Sequence, residues 1–411
     1  MRKNVVFWLA CLALAACEPL HLPTGSGGFR MNRLPDGTGQ PSRFPPDSTV
    51  RMDTVLFLSA VRVQDGYDWL RDTACGAAEA QVLLLRDYEP ICTLQSGYRH
   101  CVSTDPDTHH LLDGHLYTEF ATEKETVIKR DGEELFRYEG REKLRGLLLR
   151  DGALYTLGQD RSGNGCTLRR NGTVCYRSES GRIAGDFHQP GFGKSGALYE
   201  QGGHLYFTLF PDRNDVRTCC LVKDNYGTQV KLPSRALRVW DLRAGPSGTF
   251  LLYADEMRIA LQTPSGTMNV SPNIWTSASL LSTDPPAVFC NIGTDEEQGG
   301  MGMYYRKGST GQRLDGAGYS IMALPDGTFA AALPLPNGSV RLLAPDGSTE
   351  RLDSCLFFSH PCLSTLGKLM TVALSPTDTD ASPFVWENGK RRELGWPGFL
   401  TGAELALTPS N

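Results

Sequence analysis

The sequence predicts an all-β fold assembled from a repeated unit of four short strands. The 411 residues include 44 Gly and 25 Pro, a composition that favours many turns over many helices. Short runs rich in Leu, Val, Tyr and Phe stand between the turns and are typical of strands. The turns recur at a mean distance of about 43 residues, and a period of roughly 40 to 50 residues indicates an array of similar units.

One set of turns predicts a hairpin near the end of each unit. The run 127–130, the dipeptide Asp131-Gly132 and the run 135–138 follow one another, and the same order surrounds Asn171-Gly172. Asx-Gly between apolar runs is the strongest short-range hairpin signal. The corresponding turn glycines are Gly132, Gly172, Gly227, Gly266, Gly311, Gly347 and Gly389. A further unit has its tip near Tyr88, 44 residues before Gly132.

A second set of turns lies inside the same units, each before another apolar run. These turns are Asp113-Gly114, Asp151-Gly152, Gly202-Gly203, Ser247-Gly248, Asp326-Gly327 and Gly367. Each unit is therefore predicted as strand, tight turn, strand, variable loop, strand, tight turn, strand. Four antiparallel strands at this spacing make one propeller blade, so residues 51–411 resemble the β-propellers in general, with about eight four-stranded blades.

The two ends of the repeat complement each other. The first unit, over residues 54–94, lacks an obvious inner strand, whereas the C-terminal run 399–407 resembles a first strand with nothing after it. We therefore expect the C-terminal strand to join the first blade and close the ring, which removes exposed sheet edges. A seven-bladed ring with an irregular first segment and a pair of β-sandwiches are the structural alternatives.

The N-terminus predicts export. Arg2 and Lys3 precede an apolar stretch over residues 5–14 that is too short to span a bilayer, so residues 1–16 are predicted to be a signal peptide. The run Leu14-Ala15-Ala16-Cys17 resembles the lipobox of bacterial lipoproteins. This resemblance implies acylation of Cys17 and a place in the bacterial cell envelope, which we expect to be the outer membrane, on either its periplasmic or its surface side. An ordinary signal peptide with an incidental Cys17, or an uncleaved anchor, are the alternatives.

Residues 17–50 contain six Pro and five Gly and few large apolar residues. Such a composition cannot bury enough surface to offset the entropy of ordering, and it predicts a flexible linker between the lipid and the propeller. The balance of 41 basic and 46 acidic residues, a formal net charge of -5, lacks the basic footprint of a nucleic-acid binder. Nucleic acid is therefore not an expected partner.

Ten cysteines remain after Cys11 and Cys17, an even number that fits disulfides in an exported chain. Three pairs are close along the chain: Cys92 with Cys101, Cys166 with Cys175, and Cys355 with Cys362. The second pair depends on the hairpin register. A four-residue loop would place Cys166 opposite Cys175, whereas a turn formed by Asn171-Gly172 alone would place it opposite Arg177.

The alternation of connections predicts two different faces. In a four-stranded meander both tight turns lie on one face, and the variable loop and the link to the next blade lie on the other, which we name the loop-rich face. Its long connections are residues 64–80, 97–108, 178–195, 293–301 and 375–383. Such loops commonly carry recognition. The candidate binding residues are Tyr67, Trp69, Phe192, Trp275 and Trp396; the alternative is that these rings pin their own loops to the body.

Catalytic and metal-binding signals are weak. The chain has no GxSxG, HExxH or P-loop motif, and no catalytic residue or cofactor is assigned. A group of acids and histidines, Asp105, Asp107, His109, His110 and His115, is close along the chain, but strand alternation points His109 and His110 to opposite sides. Ordinary loop acids and strand histidines are favoured over a metal site.

These observations favour a non-catalytic, membrane-anchored propeller that binds a protein or glycan through its loop-rich face. One alternative is an envelope enzyme acting on polysaccharide, with acidic residues gathered at the propeller axis. Another is a structural scaffold for envelope assembly. A lipidated eight-fold ring resembles the eight-bladed outer-membrane assembly lipoproteins in outline, although their repeat signature is absent from this chain.

Overall fold

The computed structural model describes most of residues 52–409. The described ranges are 52–64, 80–160, 162–185, 195–210, 218–271, 277–295, 300–315, 320–324, 328–335, 339–352, 362–366, 369–374, 382–387 and 389–409. Within them the strands form eight antiparallel sheets, each a blade of a β-propeller. The prediction of an all-β propeller with eight blades is confirmed, and the seven-bladed and sandwich alternatives are wrong.

The first half of the chain forms blades 1 to 4. Blade 1 begins with β1 (Met52–Arg62), β2 (Gln81–Arg86) and β3 (Glu89–Gln95), followed by two 3₁₀ helices, Tyr98–His100 and Pro106–Thr108. Blade 2 contains β4 (His109–Leu112), β5 (His115–Ala121), β6 (Glu125–Arg130) and β7 (Glu133–Glu139). Blade 3 contains β8 (Glu142–Arg150), β9 (Ala153–Asp160), β10 (Cys166–Arg170) and β11 (Thr173–Ser178). Blade 4 contains β12 (Arg182–Ile183), β13 (Tyr199–Gln201), β14 (His204–Phe210), β15 (Thr218–Lys223) and β16 (Tyr226–Lys231).

The second half forms blades 5 to 8 and returns to blade 1. Blade 5 contains β17 (Arg238–Gly245), β18 (Gly248–Ala254), β19 (Ile259–Thr263) and β20 (Gly266–Ser271). Blade 6 contains β21 (Ser277–Thr283), β22 (Pro286–Asp295), β23 (Gly300–Lys307) and β24 (Thr310–Asp315). Blade 7 contains β25 (Ser320–Ala323), β26 (Phe329–Pro334), β27 (Val340–Leu343) and β28 (Thr349–Leu352). Blade 8 contains β29 (Cys362–Leu366), β30 (Leu369–Leu374), β31 (Phe384–Glu387) and β32 (Lys390–Glu393), and the last strand is β33 (Gly398–Pro409).

The C-terminal strand closes the ring. Blade 1 has the order β3-β2-β1-β33, so β33 is its innermost strand. The antiparallel register runs from Met52 opposite Pro409 to Arg62 opposite Gly398, with a bulge after Ser59. This confirms the prediction that the C-terminal run supplies the strand missing from the first unit.

The innermost strand of blade 4 is divided in two. Both β12 and β13 pair with β14: Arg182 lies opposite Phe210, and Tyr199 lies opposite Tyr206. The described end of the intervening segment bonds to blade 3, since Leu147 N donates to Ser195 O at 3.0 Å and Ala197 N donates to Arg145 O at 2.8 Å. The insertion therefore ties the innermost strand of blade 3 to blade 4.

Several hairpins share one turn geometry. Asp131 and Gly132 both have positive φ, at 50° and 91°, and Asn171 and Gly172 repeat this at 47° and 80°. Two consecutive positive φ angles define the type I′ turn, whose twist matches the flanking strands. Asn and Asp tolerate this conformation better than most residues, and glycine adopts it without a Cβ penalty.

Four of the predicted turn glycines lie in strands instead: Gly248 and Gly266 are the first residues of β18 and β20, and the other two are Gly227 and Gly311. The turns fall just before them, at 224–225 and 308–309, so that Gly227 belongs to β16 and Gly311 to β24. A Cβ on Gly227 would lie 2.8 Å from Cys220 Sγ, and one on Gly311 would overlap the Tyr304 hydroxyl. These two glycines therefore make room for a neighbouring side chain on the adjacent strand.

The apolar core lies between neighbouring blades as well as within them. One buried cluster contains Val55 and Phe57 of blade 1 together with Leu111 and Leu116 of blade 2. Another joins Leu58 and Leu405 of blade 1 to Val385 of blade 8. Because each blade packs its face on the next, the ring is stabilised by contacts that run continuously around the axis.

Candidate functional site

The two faces of the propeller differ in the length of their connections. Two-residue turns such as 113–114, 131–132 and 151–152 join the inner and the outer strand pairs on one face, named here the tight-turn face. On the opposite, loop-rich face, residues 63–80 join β1 to β2 and residues 96–108 join β3 to β4, whereas residues 184–198 interrupt the innermost strand of blade 4. Variable chain is therefore collected on one side of a rigid ring.

Most of the predicted binding residues lie outside the described residues. This holds for Tyr67, Trp69, Phe192 and Trp275, and for the predicted lipidation site Cys17. Their roles stay predictions.

Trp396 is described, and the structure places it at the joint of the ring. It lies between β32 and β33, is half-buried, and packs against the cluster that contains Leu58, Val385 and Leu405. The next residue helps to close the same corner, because Val63 N donates to Pro397 O at 3.1 Å. Trp396 therefore packs its own connection against the body, and its role in binding stays a prediction.

The predicted Cys166–Cys175 disulfide is not formed, because the register required for it does not occur. The turn consists of Asn171-Gly172 alone, and a bulge at Cys175 places Cys166 opposite Ser178. Both are unbonded thiols, and burial raises the pKa of Cys166 to about 12.

The other predicted disulfides differ in outcome. Cys92 and Cys101 are also unbonded thiols; Cys92 Sγ donates to Asp131 O at 3.3 Å, whereas Cys101 Sγ donates to Tyr98 O at 3.6 Å. The predicted Cys355–Cys362 pair is not tested, because Cys355 lies outside the described residues.

Two histidines of blade 2, His109 and His115, make contacts within the protein. His109 is buried, with Nε2 lying 2.6 Å from Ser103 O and Nδ1 lying 3.4 Å from Thr401 Oγ1. Burial lowers the pKa of His109 to about 4, so the ring is neutral at pH 7. His115 is on the tight-turn face, where Nδ1 lies 2.5 Å from Asp131 Oδ2. Among the described residues no group of three or more His, Cys, Asp or Glu is placed to hold a metal ion.

The acids of the innermost strands are engaged in packing. Glu142 in β8 makes a two-pronged ion pair with Arg169, with N–O distances of 2.6 and 2.7 Å. Glu404 in β33 accepts a hydrogen bond from Gly114 N of blade 2 at 3.0 Å. The first contact lies within blade 3, and the second joins blade 1 to blade 2.

A third acid, Asp241, is buried and joins blade 5 to blade 6. Asp241 in β17 is 3.0 Å from Arg243 Nη2 and accepts a hydrogen bond from Leu280 N of blade 6 at 3.0 Å. Both charged side chains of this pair are nearly fully buried. Their partners lie within the protein, as expected of buried charges that are retained for structure.

One corner of the loop-rich face was missed by the sequence analysis. We name Leu237, Arg238, Trp240 and Met257 the blade 5 corner. The Arg238 guanidinium carbon lies 3.8 Å from the centroid of the Trp240 ring, while Leu237 and Met257 are 57% and 75% exposed. The sequence signal was present, because Arg and Trp two apart at the start of a strand share one side of it.

The comparisons with known proteins concern the fold alone. No family model matches the chain, and no curated protein matches it. A solved structure of the dihydro-heme d1 dehydrogenase NirN in complex with DHE is 13% identical, with 98% of this chain and 86% of that chain covered and a TM-score of 0.49. TolB from Acinetobacter baumannii is 10% identical, with coverages of 85% and 66% and a TM-score of 0.36. YCF48 bound to D1 peptide is 9% identical, with coverages of 74% and 98% and a TM-score of 0.40.

No function is carried over from these structures, because the identities and TM-scores are low. The class of protein that fold and site define is thus an eight-bladed β-propeller with a loop-rich face. Within the described ranges, no helix has the length and apolar character needed to cross a bilayer.

Proposed function

We propose that this chain is a non-catalytic, membrane-anchored propeller of the bacterial cell envelope that binds a protein or glycan through its loop-rich face. The observation that carries the proposal is the unequal distribution of chain between the two faces. On the tight-turn face two-residue turns join the strands of every blade except blade 7, whereas connections of up to 18 residues join strand ends on the opposite face.

Exposed apolar side chains on the loop-rich face support a binding role. Tyr98, in the 3₁₀ helix between blades 1 and 2, is 71% exposed, and its ring meets Phe120 edge-on at 5.8 Å. Leu237 and Met257 are exposed on the same face at blade 5. Side chains of this kind supply the buried contacts of protein interfaces, and rings such as Tyr98 also stack on sugars.

The engagement of the inner-strand acids favours binding over the enzyme hypothesis. Glu142, Asp241 and Glu404 each accept hydrogen bonds or ion pairs from neighbouring strands. A general acid or nucleophile for glycoside cleavage needs a carboxylate that can reach the substrate. These three carboxylates instead stabilise contacts within and between blades.

The binding face is tested by introducing charge on either side of the ring. We expect the triple variant Tyr98→Glu/Leu237→Glu/Met257→Glu to weaken ligand capture at least tenfold, in pull-downs and on a glycan array with the full chain in detergent. The matched control is Leu149→Glu, since Leu149 is also exposed, at 46%, but lies next to the tight turn 151–152. Capture lost in the control and kept in the triple variant would contradict the proposal.

The anchor is tested separately at the lipobox. We expect Cys17→Ser to abolish incorporation of radiolabelled palmitate and to move the chain from the membrane fraction to the soluble fraction. A single acyl chain gives marginal membrane binding, whereas several give stable anchoring. Unchanged labelling of the Cys17→Ser variant would refute lipidation at this residue.

A further inference from the structure

We propose that the blade 5 corner is the docking site for an acidic protein segment that carries a large apolar side chain beside its carboxylates. This inference rests on the proposed function and specifies the ligand class and the position on the loop-rich face. Four side chains carry it, namely Leu237, Arg238, Trp240 and Met257.

The first argument is the fixed guanidinium. Arg238 stacks on the Trp240 ring at 3.8 Å, and Trp240 itself packs against the buried core of blade 5. A guanidinium held flat on an aromatic ring keeps the N–H groups of its edge available in one plane. That plane matches the two oxygens of a carboxylate, which favours bidentate recognition.

The second argument is the local charge. The chain has a net charge of -5, yet in the described segments 235–238 and 255–258 the arginines Arg235, Arg238 and Arg258 outnumber the acids Asp255 and Glu256. Asp255 is occupied by Arg258, with Nε and Oδ2 3.3 Å apart. Partial burial, and next the charge of Arg182 at the start of β12, lower the pKa of Arg238. A bound carboxylate would offset both effects.

The third argument is the pair of exposed aliphatic side chains beside Arg238, namely Leu237 and Met257, which we name the apolar rim. Leu237 N donates to Ala254 O at 2.9 Å, which fixes Leu237 at the end of β18. Met257 is in the following turn, where its N–H donates to Asp255 Oδ1 at 2.9 Å. The two exposed side chains thus lie on backbone that is already held by hydrogen bonds, so their contact with a partner requires no ordering of that backbone.

The same rim favours a protein segment over an acidic polysaccharide. Sugars are held by stacking on open aromatic faces, but one face of Trp240 is covered by Arg238 and the partly buried ring also packs against the core. The groups left exposed are aliphatic, Leu237 and Met257. Aliphatic side chains next to arginine fit an apolar side chain flanked by Asp or Glu.

The test is selection from a random 12-residue peptide display library on the full chain in detergent. We expect enrichment of Asp and Glu next to Leu, Phe or Met. Enriched peptides, measured by fluorescence anisotropy, should bind at least tenfold more weakly to Arg238→Ala and to Arg238→Lys, because lysine keeps the charge but loses the planar stack. Met257→Ala should weaken binding severalfold, and higher salt should weaken it further.

The control is Arg170→Ala, since Arg170 is an exposed strand arginine beside the tight turn 171–172. Unchanged affinity in this control, with lost affinity in Arg238→Ala, supports the inference. Three results overturn it: enrichment without an acidic bias, binding indifferent to Arg238→Ala, or capture of acidic glycans with no enriched peptide. If these ligands are instead lost in the single variant Tyr98→Glu, whose change lies outside the blade 5 corner, the proposed function stands and only the docking site is wrong.

Discussion

At the scale of single residues, the same exchange of two hydrogen bonds between an Asp or Asn residue of the outer turn and a leucine of the second strand recurs in several blades. Asp131 N donates to Leu116 O and Leu116 N donates to Asp131 Oδ1, both at 2.8 Å. Asn171 with Leu154 and Asp224 with Leu205 repeat the arrangement. Each exchange fastens the outer turn to the second strand of its own blade, so the side chain that permits the turn also positions it.

The histidines of blades 2 and 4 add a second contact to this arrangement. His204 Nδ1 lies 2.8 Å from Asp224 Oδ2, as His115 Nδ1 does at 2.5 Å from Asp131 Oδ2. Partial burial opposes ionisation of Asp224, but the hydrogen bonds from Leu205 N and His204 outweigh it and lower its pKa. A carboxyl with a lowered folded-state pKa stabilises the fold above its unfolded pKa, and this stability is lost as pH falls.

We therefore predict a pH-dependent effect of Asp224→Asn. At pH 7 the variant keeps the Oδ1 acceptor but loses the charge, and the wild type should be the more stable. The difference should shrink as the pH falls below about 4, the ordinary pKa of Asp. Denaturant unfolding between pH 3 and pH 7 measures this difference. Blade 3, which has Asn171 at the equivalent position, shows that asparagine is accommodated; a difference independent of pH would contradict the prediction.

The sequence indicated most of these residues but not all of their roles. Asp-Gly and Asn-Gly dipeptides reveal turns because few other pairs tolerate two positive φ angles. Gly227 misled the prediction, since Asp224 already adopts a φ of 53° and the turn closes before the glycine. The need for Gly227 comes from Cys220 on the neighbouring strand, and cross-strand crowding is not visible in a local pattern.

At the scale of elements, blade 3 is organised around a buried ion pair. The Arg169 and Glu142 side chains are 5% and 12% exposed. Tyr138 of blade 2 covers the guanidinium, whose carbon lies 3.8 Å from its ring centroid. A Cβ on Gly158 would overlap Glu142 Oε2, so the glycine of β9 provides the space for the carboxylate.

We predict that removing either charge of this pair destabilises the protein strongly. Glu142→Gln or Arg169→Met should each cost about 3 to 5 kcal/mol, because each leaves the other charge buried without its partner. The double variant should cost less than the sum of the two. Denaturant unfolding of the four proteins gives the coupling, and additive effects would refute it.

A surface pair provides the control for this cycle. Arg137 and Glu134 are 2.7 Å apart, but their side chains are 44% and 43% exposed. Solvent screens such a pair, so the equivalent variants should change the unfolding midpoint little. A large effect here would indicate that the assay does not separate buried from exposed pairs.

Element-scale prediction from sequence succeeded for strand order and failed for pairing detail. The four-strand unit follows from turn spacing, but a bulge such as that at Cys175 shifts the register by one residue and cannot be read from composition. The predicted Cys166–Cys175 disulfide failed for this reason. The blade 5 corner was missed because its exposed apolar side chains come from two separate segments.

At the scale of the whole molecule, the ring depends on one strand that is last in the chain and first in its blade. β33 bonds to neighbours on both sides of it: Leu405 N donates to Ser364 Oγ of blade 8 at 2.8 Å, and Glu404 accepts from Gly114 N of blade 2. Thr401 Oγ1 donates to Ser59 Oγ at 2.8 Å inside blade 1. Ring closure therefore involves three blades.

We predict that deleting residues 398–411 abolishes cooperative unfolding and produces oligomers, because β1 then exposes an unpaired edge at the axis. Thermal circular dichroism and size-exclusion chromatography measure the two effects. Deleting only residues 410–411 is the control and should leave the midpoint unchanged. A monomer with the full-length midpoint after the longer deletion would refute this account of closure.

Architecture was predictable at this scale because eight-fold periodicity is a global property of the sequence. The final strand could be recognised because the first unit, over residues 54–94, lacks an inner strand, and the run 399–407 at the other end of the repeat is a single strand outside any complete unit. Side-chain placement on the loop-rich face was less predictable, as Trp396 shows: the same aromatic residue serves recognition or packing, and the outcome depends on its distance from the core.

The register of the closing pair also determines which face of the ring would be nearer to a bilayer under the proposed lipidation of Cys17. Met52 lies opposite Pro409, so the chain enters blade 1 at the tight-turn face, beside its own C-terminus. With a lipid on Cys17 and the flexible linker that the composition predicts over residues 17–50, the end-to-end distance of this linker would be about 30 Å. The tight-turn face would then be the face nearer to the lipid headgroups. The loop-rich face would be exposed to the aqueous phase, where a partner could bind.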